Sequence, residues 1–489
     1  WLGRQIWAQK LQNPLGLVVL LMIVMPLSYL MSGLELKWSA LLFLGLVGVP
    51  LIGLCLFDLT LGLGMILTIA LIVPFAAKFT TAPIGTLLDL LIFICMAAIL
   101  LRQIKDRDWR FFKGPISIMI MVWLYYNILQ VLNPGAESRM AWLYTVRTVA
   151  IQLLIYYIAA FAFDSKKKIW GILRWIGVMG SLSAIYGLKQ QFIGLSEREK
   201  QWIYESKERF ELYYNWGRLR VPSFMFDPTT FGIMMACFGI FCFVLLFTSP
   251  AKVWQKVGLG ILGILSLWAM AFTGTRTAYV LVPLGVFFYA GLTLSKKTLI
   301  GLAIFTMFGA VLILKSTGNG TIYRIQSAFK PKDDESMQTR LKNQKFIQPW
   351  IQAHPLGGGL GSCGEWGRRF NPDSMLAKFP HDSSYVRMAV ELGWIGLILY
   401  CLFHFIVLRT GIYFYIRVED PWIKSVYCAV LCWMFMLTCA CYTQEAILQL
   451  PMNQIYNTFL AVLMMLKNFD PAFATEKSGL PVNPKPVRF

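Results

Sequence analysis

Charge is scarce in this sequence. Asp, Glu, Lys and Arg together make up 14% of 489 residues, while 57% are hydrophobic and the mean hydropathy is +0.60. No water-soluble fold can hide that much apolar surface, so the soluble globular classes are excluded. Histidine is rarer still: His354, His381 and His404 are too few and too scattered to make a metal site, and no metal or other cofactor is expected. Of the ten cysteines, all but Cys363 fall in apolar blocks, where a thiol behaves as a small hydrophobe, so no disulfide framework is expected. Acidic residues are outnumbered 25 to 45 by Lys and Arg. The basic residues are nevertheless split by apolar blocks and carry no recognisable binding module, which argues against a nucleic-acid partner.

What is present is a series of apolar blocks of about twenty residues with polar punctuation, the length of a membrane span. They fall near Leu15–Met31, Ala40–Phe57, Leu59–Ala77, Pro83–Leu101, Pro115–Leu132, Ala141–Phe163 and Ile169–Ile193. Seven more follow near Pro228–Phe247, Trp254–Phe272, Thr277–Leu294, Leu299–Leu314, Tyr385–Leu408, Ser425–Thr443 and Met452–Leu466. The first lacks a small-residue cleavage site and reads as a span rather than a leader. The expected fold is an all-α polytopic integral membrane bundle of about 12–14 transmembrane helices with a large periplasmic loop containing short helices. Its expected divisions are N-terminal helices at 1–193, a periplasmic loop at 194–227, central helices at 228–316, the large periplasmic loop at 317–384, C-terminal helices at 385–468 and a cytoplasmic tail at 469–489.

Orientation follows from the short loops, because Lys and Arg gather on the cytoplasmic side. A cytoplasmic N-terminus places Arg102 to Lys113, Lys166 to Lys168, Lys252, Lys256, Lys296, Lys297, Arg409, Arg417 and Lys424 inside, and leaves only Lys37, Lys78 and Arg139 in short outer loops. The two long segments 194–221 and 315–384 then face outward. Much of the net charge of +20 is accounted for by inner loops against anionic lipid. The outer 315–384 segment is also basic, which suits an anionic substrate such as a lipid-linked phosphate.

Three outward constellations stand out. Arg276, in FTGTRTAYVLVPLG, sits where one helix emerges and the next returns; a snorkelling anchor is its simplest reading. Arg218 and Arg220 precede FMFDPTTFGIMM, where Asp227 and Pro228 read as an N-cap and a first helical residue. Arg340 opens an amphipathic stretch to Ala353 with Leu341, Phe346, Ile347, Trp350 and Ile351 on its apolar side, followed by PLGGGLG and by His381 just ahead of a span that Asp382 or Ser383 could cap. A lone loop histidine is more often structural than catalytic. Here, however, Arg220, Arg276, Arg340 and His381 come to one face from independent parts of the chain. The charges Asp58, Asp89, Arg147, Arg174, Lys189, Arg387 and Glu391 would support a transporter or flippase, but most lie near helix ends, and Arg387 and Glu391 are spaced to pair at i,i+4.

As a set, the Arg before a Pro-initiated helix, the Gly-Thr-Arg helix start, the Arg-initiated loop helix ending in HPLGGGLG, and the His before SYVRMAVELGWIGLILY resemble the O-antigen ligase and polymerase superfamily of bacterial membrane glycosyltransferases, over about Arg218 to Tyr400. Where that family usually reads His-Asn, this chain has His381 followed by Asp382. The resemblance implies metal-independent transfer of a glycan from undecaprenyl diphosphate to an acceptor hydroxyl, on the periplasmic side of the bacterial inner membrane. The acceptor would be the lipid A core, another lipid-linked glycan or a protein hydroxyl, and the partners would include membrane lipid. On that reading His381, Arg276 and Arg340 are the expected catalytic residues, and Arg218, Arg220, Asp382, Tyr385 and Arg387 the expected substrate-binding ones.

Overall fold

The computed structural model describes residues 48, 50, 52–80, 84–107, 109, 112–215, 217–314, 320–329 and 335–473. Its contacts divide the chain between Asp58 and Leu59, and the architecture below is that of the second unit. The expected blocks at 15–31 and 40–57 lie wholly or largely outside the described residues.

Among the described residues, ten helical segments are long and apolar enough to cross a membrane, so the chain is an all-α polytopic membrane bundle. They run Leu59–Ala76, Gly85–Asp106, Pro115–Leu132, Arg139–Ala162, Lys166–Phe192, Pro228–Thr248, Val253–Ala271, Arg276–Thr293, Ser384–Arg417 and Pro421–Ala440. The block at 299–314 forms the helix Lys296–Leu314, and the last block forms Met452–Met465, whose 14 residues are short of a full span.

Of the ten spans, the Pro228 and Pro421 helices are the most enclosed, buried over 83% and 78% of their apolar windows, because they are apolar on every side and neighbours cover them all round. They pack on each other and on the Arg276 helix. Between them Trp433 is enclosed edge-on by Phe238, Phe241 and Phe459 at centroid distances of 6.5, 5.9 and 5.4 Å. Both helices start as their sequences require. Asp227 accepts from Thr229 N and Thr230 N, each at 2.8 Å, and Asp420 from Trp422 N and Ile423 N at 2.8 and 3.1 Å, with proline as the first helical residue in each.

Some polar groups inside the bundle pair with one another. The Arg139–Ala162 span breaks at a 3-10 turn, Ile151–Leu153, and Asn457 donates to the freed carbonyl of Gln152 at 3.0 Å while Gln454 donates to the Gln152 side chain at 2.7 Å. Arg147 pairs with buried Asp89 at 3.2 Å.

Beyond Phe192 the chain forms two short helices, Glu197–Tyr204 and Lys207–Tyr213, and a hairpin pairing Tyr214–Asn215 with Arg218–Leu219. Ser196 and Glu199 form a capping box at the first helix. This cap-like segment is pinned by Lys78, whose ammonium sits 5.7–5.9 Å from the rings of Phe75, Trp202 and Tyr213.

Candidate active site

The Pro228, Arg276 and Ser384 helices begin, and the Pro421 helix ends, around one cavity of about 840 Å³. One wall of it is built on the turn between Ala271 and Arg276. Thr273 and Thr275 fold this turn through Thr273 Oγ1 to Met270 O at 2.8 Å and Thr275 Oγ1 to Pro228 O at 3.2 Å. Gly274 takes φ +59°, and a Cβ there would lie 2.6 Å from Arg324 Nη1. Glycine therefore serves twice, supplying a left-handed turn and leaving room for a guanidinium laid over it. Arg220 fastens the turn to the cap segment. It donates to Thr273 O at 3.0 Å, Leu212 O at 3.2 Å, Thr229 Oγ1 at 3.3 Å and Thr275 Oγ1 at 3.5 Å. Burial, with repulsion from Arg324 and Arg276, pushes the Arg220 guanidinium down to about 10; burial also lowers Arg324. Both remain cations at neutral pH. Three mutually repelling guanidiniums, of which Arg220 is fixed by four hydrogen bonds, form a site for an anion.

The facing wall comes from the segment before the Ser384 helix and from the connection after the Pro421 helix. Arg340, on the helix Glu335–Ala353, lies 3.6 Å from Asp382. That helix packs Ile347, Trp350 and Ile351 on Cys363, Leu376, Phe379 and Val390, whereas Phe346 is 66% exposed, so protein covers only part of the apolar side. His381 Nε2 lies 3.3 Å from Glu445 Oε1, and Nδ1 lies 3.4 Å from Phe379 O. Its ring edge rests on Gly364, where φ is +71° and a Cβ would come within 2.6 Å of Cε1 and 2.7 Å of Nε2. Only glycine fits there.

Arg220, Arg276, Arg340, His381 and Asp382 thus line a single cavity. Arg218, Tyr385 and Arg387 do not. Arg218 is exposed on the hairpin, Tyr385 donates to Thr438 O at 3.0 Å against the Pro421 helix, and Arg387 lies between Glu391 at 3.1 Å and Glu445 at 2.7 Å. The PLGGGLG run is also away from the lining; Gly358 N donates to Val390 O and Asn133 to Leu356 O. Sequence reasoning did not single out Arg324, Arg368, Lys378 or Glu445, all of which line the cavity. The first three were legible only as members of a basic loop. Glu445 had one usable signal, an acidic residue just past the end of a span on the same side as His381. Among the described residues, no group of three or more His, Cys, Asp and Glu side chains comes together as a metal site.

Residues 261–401, which carry Gly274, Arg276, Arg340, Gly364 and His381, match the Wzy_C family, O-antigen ligase. No curated protein matches the chain.

Proposed function

We propose that this chain, a membrane protein of the O-antigen ligase and polymerase superfamily, transfers a glycan from undecaprenyl diphosphate to an acceptor hydroxyl at the periplasmic face of the bacterial inner membrane. One observation carries the reading. Arg220, Arg276, Arg324, Arg340, Arg368 and Lys378 line the same cavity as His381, against the carboxylates of Asp227, Asp382 and Glu445 among the described residues. Those carboxylates are already engaged, Asp227 in a helix cap, Asp382 with Arg340 and Glu445 with Arg387. The surplus positive charge suits a diphosphate.

The chemistry follows from what each wall can do. Cleavage between the anomeric carbon and the diphosphate builds negative charge on the leaving oxygens, and guanidiniums fixed before the reaction stabilise it without reorganising. Arg276 takes that role with Arg220 and Arg324 behind it, and Arg340 approaches from the facing wall. His381 receives the proton of the acceptor hydroxyl as the new bond forms. The donor's polyprenyl chain stays between helices while its headgroup reaches the cavity, which is why such an enzyme is embedded.

The test is transfer by the purified chain in lipid nanodiscs, with an undecaprenyl diphosphate glycan as donor. Lipid A core and a second lipid-linked glycan are offered as separate acceptors, and products are read by mass spectrometry. Extension of the first identifies a ligase and extension of the second a polymerase. Movement of intact donor between leaflets with no transfer to either would replace this reading by a flippase.

A further inference from the structure

We propose that Glu445 is the positioning carboxylate of His381, holding its Nε2 proton and thereby leaving Nδ1 to take the proton of the acceptor hydroxyl; the inference rests on the glycosyl-transfer reading above. Glu445 lies just past the Pro421 helix, about sixty residues from His381 in sequence, yet its Oε1 is 3.3 Å from His381 Nε2. That oxygen is buried and makes no hydrogen bond in the structure, and His381 Nε2 at 3.3 Å is placed to become the donor it needs. The second oxygen is fixed. Arg387 Nη1 donates to Oε2 at 2.7 Å, and Arg387 Nε donates at 3.1 Å to Glu391, which is fully buried.

Charge accounting along this row explains its direction. Glu391 and Glu445 carry two negative charges against one on Arg387, so the row is left one charge negative when His381 is neutral. A proton arriving on the imidazole completes the balance. The same logic operates wherever a buried carboxylate sets the tautomer of a histidine base and stabilises the imidazolium it becomes. Phe379 O, 3.4 Å from Nδ1, can only accept, so this contact is a hydrogen bond only when Nδ1 carries a proton; with the proton on Nε2 the carbonyl gives Nδ1 no bond, and an acceptor hydroxyl that donates to Nδ1 takes its place.

The step balances as follows in atoms and electrons. The hydroxyl proton moves to Nδ1, and the oxygen forms its bond to the anomeric carbon. The bond from that carbon to the diphosphate breaks, its electron pair leaving with the diphosphate on the carrier lipid. The imidazolium then returns its proton to water.

The experiment is a double-mutant cycle in the full-length nanodisc-embedded chain, with Glu445→Gln, Glu445→Asp, His381→Ala and the double variant His381→Ala with Glu445→Gln. Glu445→Gln is expected to lower kcat by about 10²-fold or more, with donor KM changed less than about threefold. Glu445→Asp, which keeps the charge and the partner of Arg387, should recover at least about tenfold of that loss, and serves if Glu445→Gln is poorly folded. In the His381→Ala background Glu445→Gln should cost less than about threefold, because Glu445 then has nothing to act through. Additive losses would overturn the proposal while leaving His381 its role. Wild-type turnover in His381→Ala would overturn both the proposal and the part of the transfer reading that uses His381.

Discussion

Arg220 lines the cavity and Arg387 lies behind its facing wall, outside the lining; each guanidinium is held by hydrogen bonds, but their partners differ in kind. Arg220 donates to two carbonyls and two hydroxyls, all neutral, with other arginines nearby. Arg387 donates to two carboxylates. A guanidinium fixed by neutral acceptors keeps its field for whatever enters, whereas one fixed by carboxylates spends it inside the protein. The first wall is therefore built to attract an anion. Behind the second, the row of Glu391, Arg387 and Glu445 keeps one net negative charge, which holds a histidine and favours the proton it takes.

If that division is real, variants on the two walls should fail in different ways. The largest effect is expected from His381→Ala, with kcat lower by about 10²- to 10⁴-fold and donor binding nearly intact. Arg276→Lys keeps the charge but loses the planar fork, and should lower transfer by about 10²- to 10³-fold. Both require folding to be checked first by thermal unfolding. Wild-type rates in well-folded Arg276→Lys and His381→Ala would dissolve the comparison, leaving a charged cavity with no assigned chemistry.

Two glycines offer a milder cut along the same line. In Gly364→Ala the new methyl meets the His381 ring edge, which Glu445 and Phe379 O already hold, so the ring must move. A displacement of about 1 Å lowers kcat by up to about 10²-fold, with donor KM little changed. In Gly274→Ala the methyl meets Arg324 Nη1, the far end of a flexible side chain that can swing aside. The fold survives with a strained turn, and the loss should fall on donor binding, by about tenfold for one weakened charged contact of about 1.5 kcal/mol. Steady-state kcat and KM with a fixed acceptor separate the two. The same signature from both glycines would mean that the walls are not functionally distinct.

How much of this was readable from sequence depends on the range of the interactions. Asp227–Pro228 was legible as a helix start because a cap needs only the next three residues. The pairing of Arg387 with Glu391 was legible from i,i+4 spacing, and Gly274-Thr275-Arg276 marked a turn between two apolar blocks. Convergence of Arg220, Arg276, Arg340 and His381 followed from counting spans, which fixes the end of the bundle but not distance. What could not be read is which side chains meet across that end. Glu445 approaches His381 only because the Pro421 helix packs beside the start of the Ser384 helix, and Tyr385 turns from the cavity because Thr438 O on that same helix accepts its hydroxyl. Phe346 fitted the apolar stripe and is 66% exposed, as a side chain on a helix lying along a membrane would be rather than one packed on a protein core. Periodicity places a side chain on a face, while cover depends on the neighbour.

The smallest expected effect concerns the lysine beneath the arginine wall. Lys78 is 5% exposed, and burial pushes its ammonium down to about 8 despite the attraction of Glu199 and Asp227. An unfolded lysine titrates near 10.5. Below pH 8 both states carry the proton, and the folded one holds its charge where burial opposes it. Between about pH 8 and 10.5 the unfolded state binds more protons, so this group makes stability rise with pH across that window. Lys78→Met keeps the volume and removes the titration. Thermal unfolding in nanodiscs at pH 7.5 and 9.5 should therefore show the gap between variant and wild type narrowing as pH rises, with Lys78→Met the more stable at pH 7.5 by about 1 °C for each kcal/mol in a chain this long. A gap that stays constant would mean that the folded ammonium keeps its proton across the window as the unfolded one does, its burial fully compensated by the aromatic cage and Glu199. In that case Lys78 remains a cation and adds to the charge around Arg220, whereas a gap that narrows at the full slope from pH 7.5 upward would mean that Lys78 is already neutral there, and the wall's attraction for an anion would rest on Arg220, Arg276 and Arg324 alone.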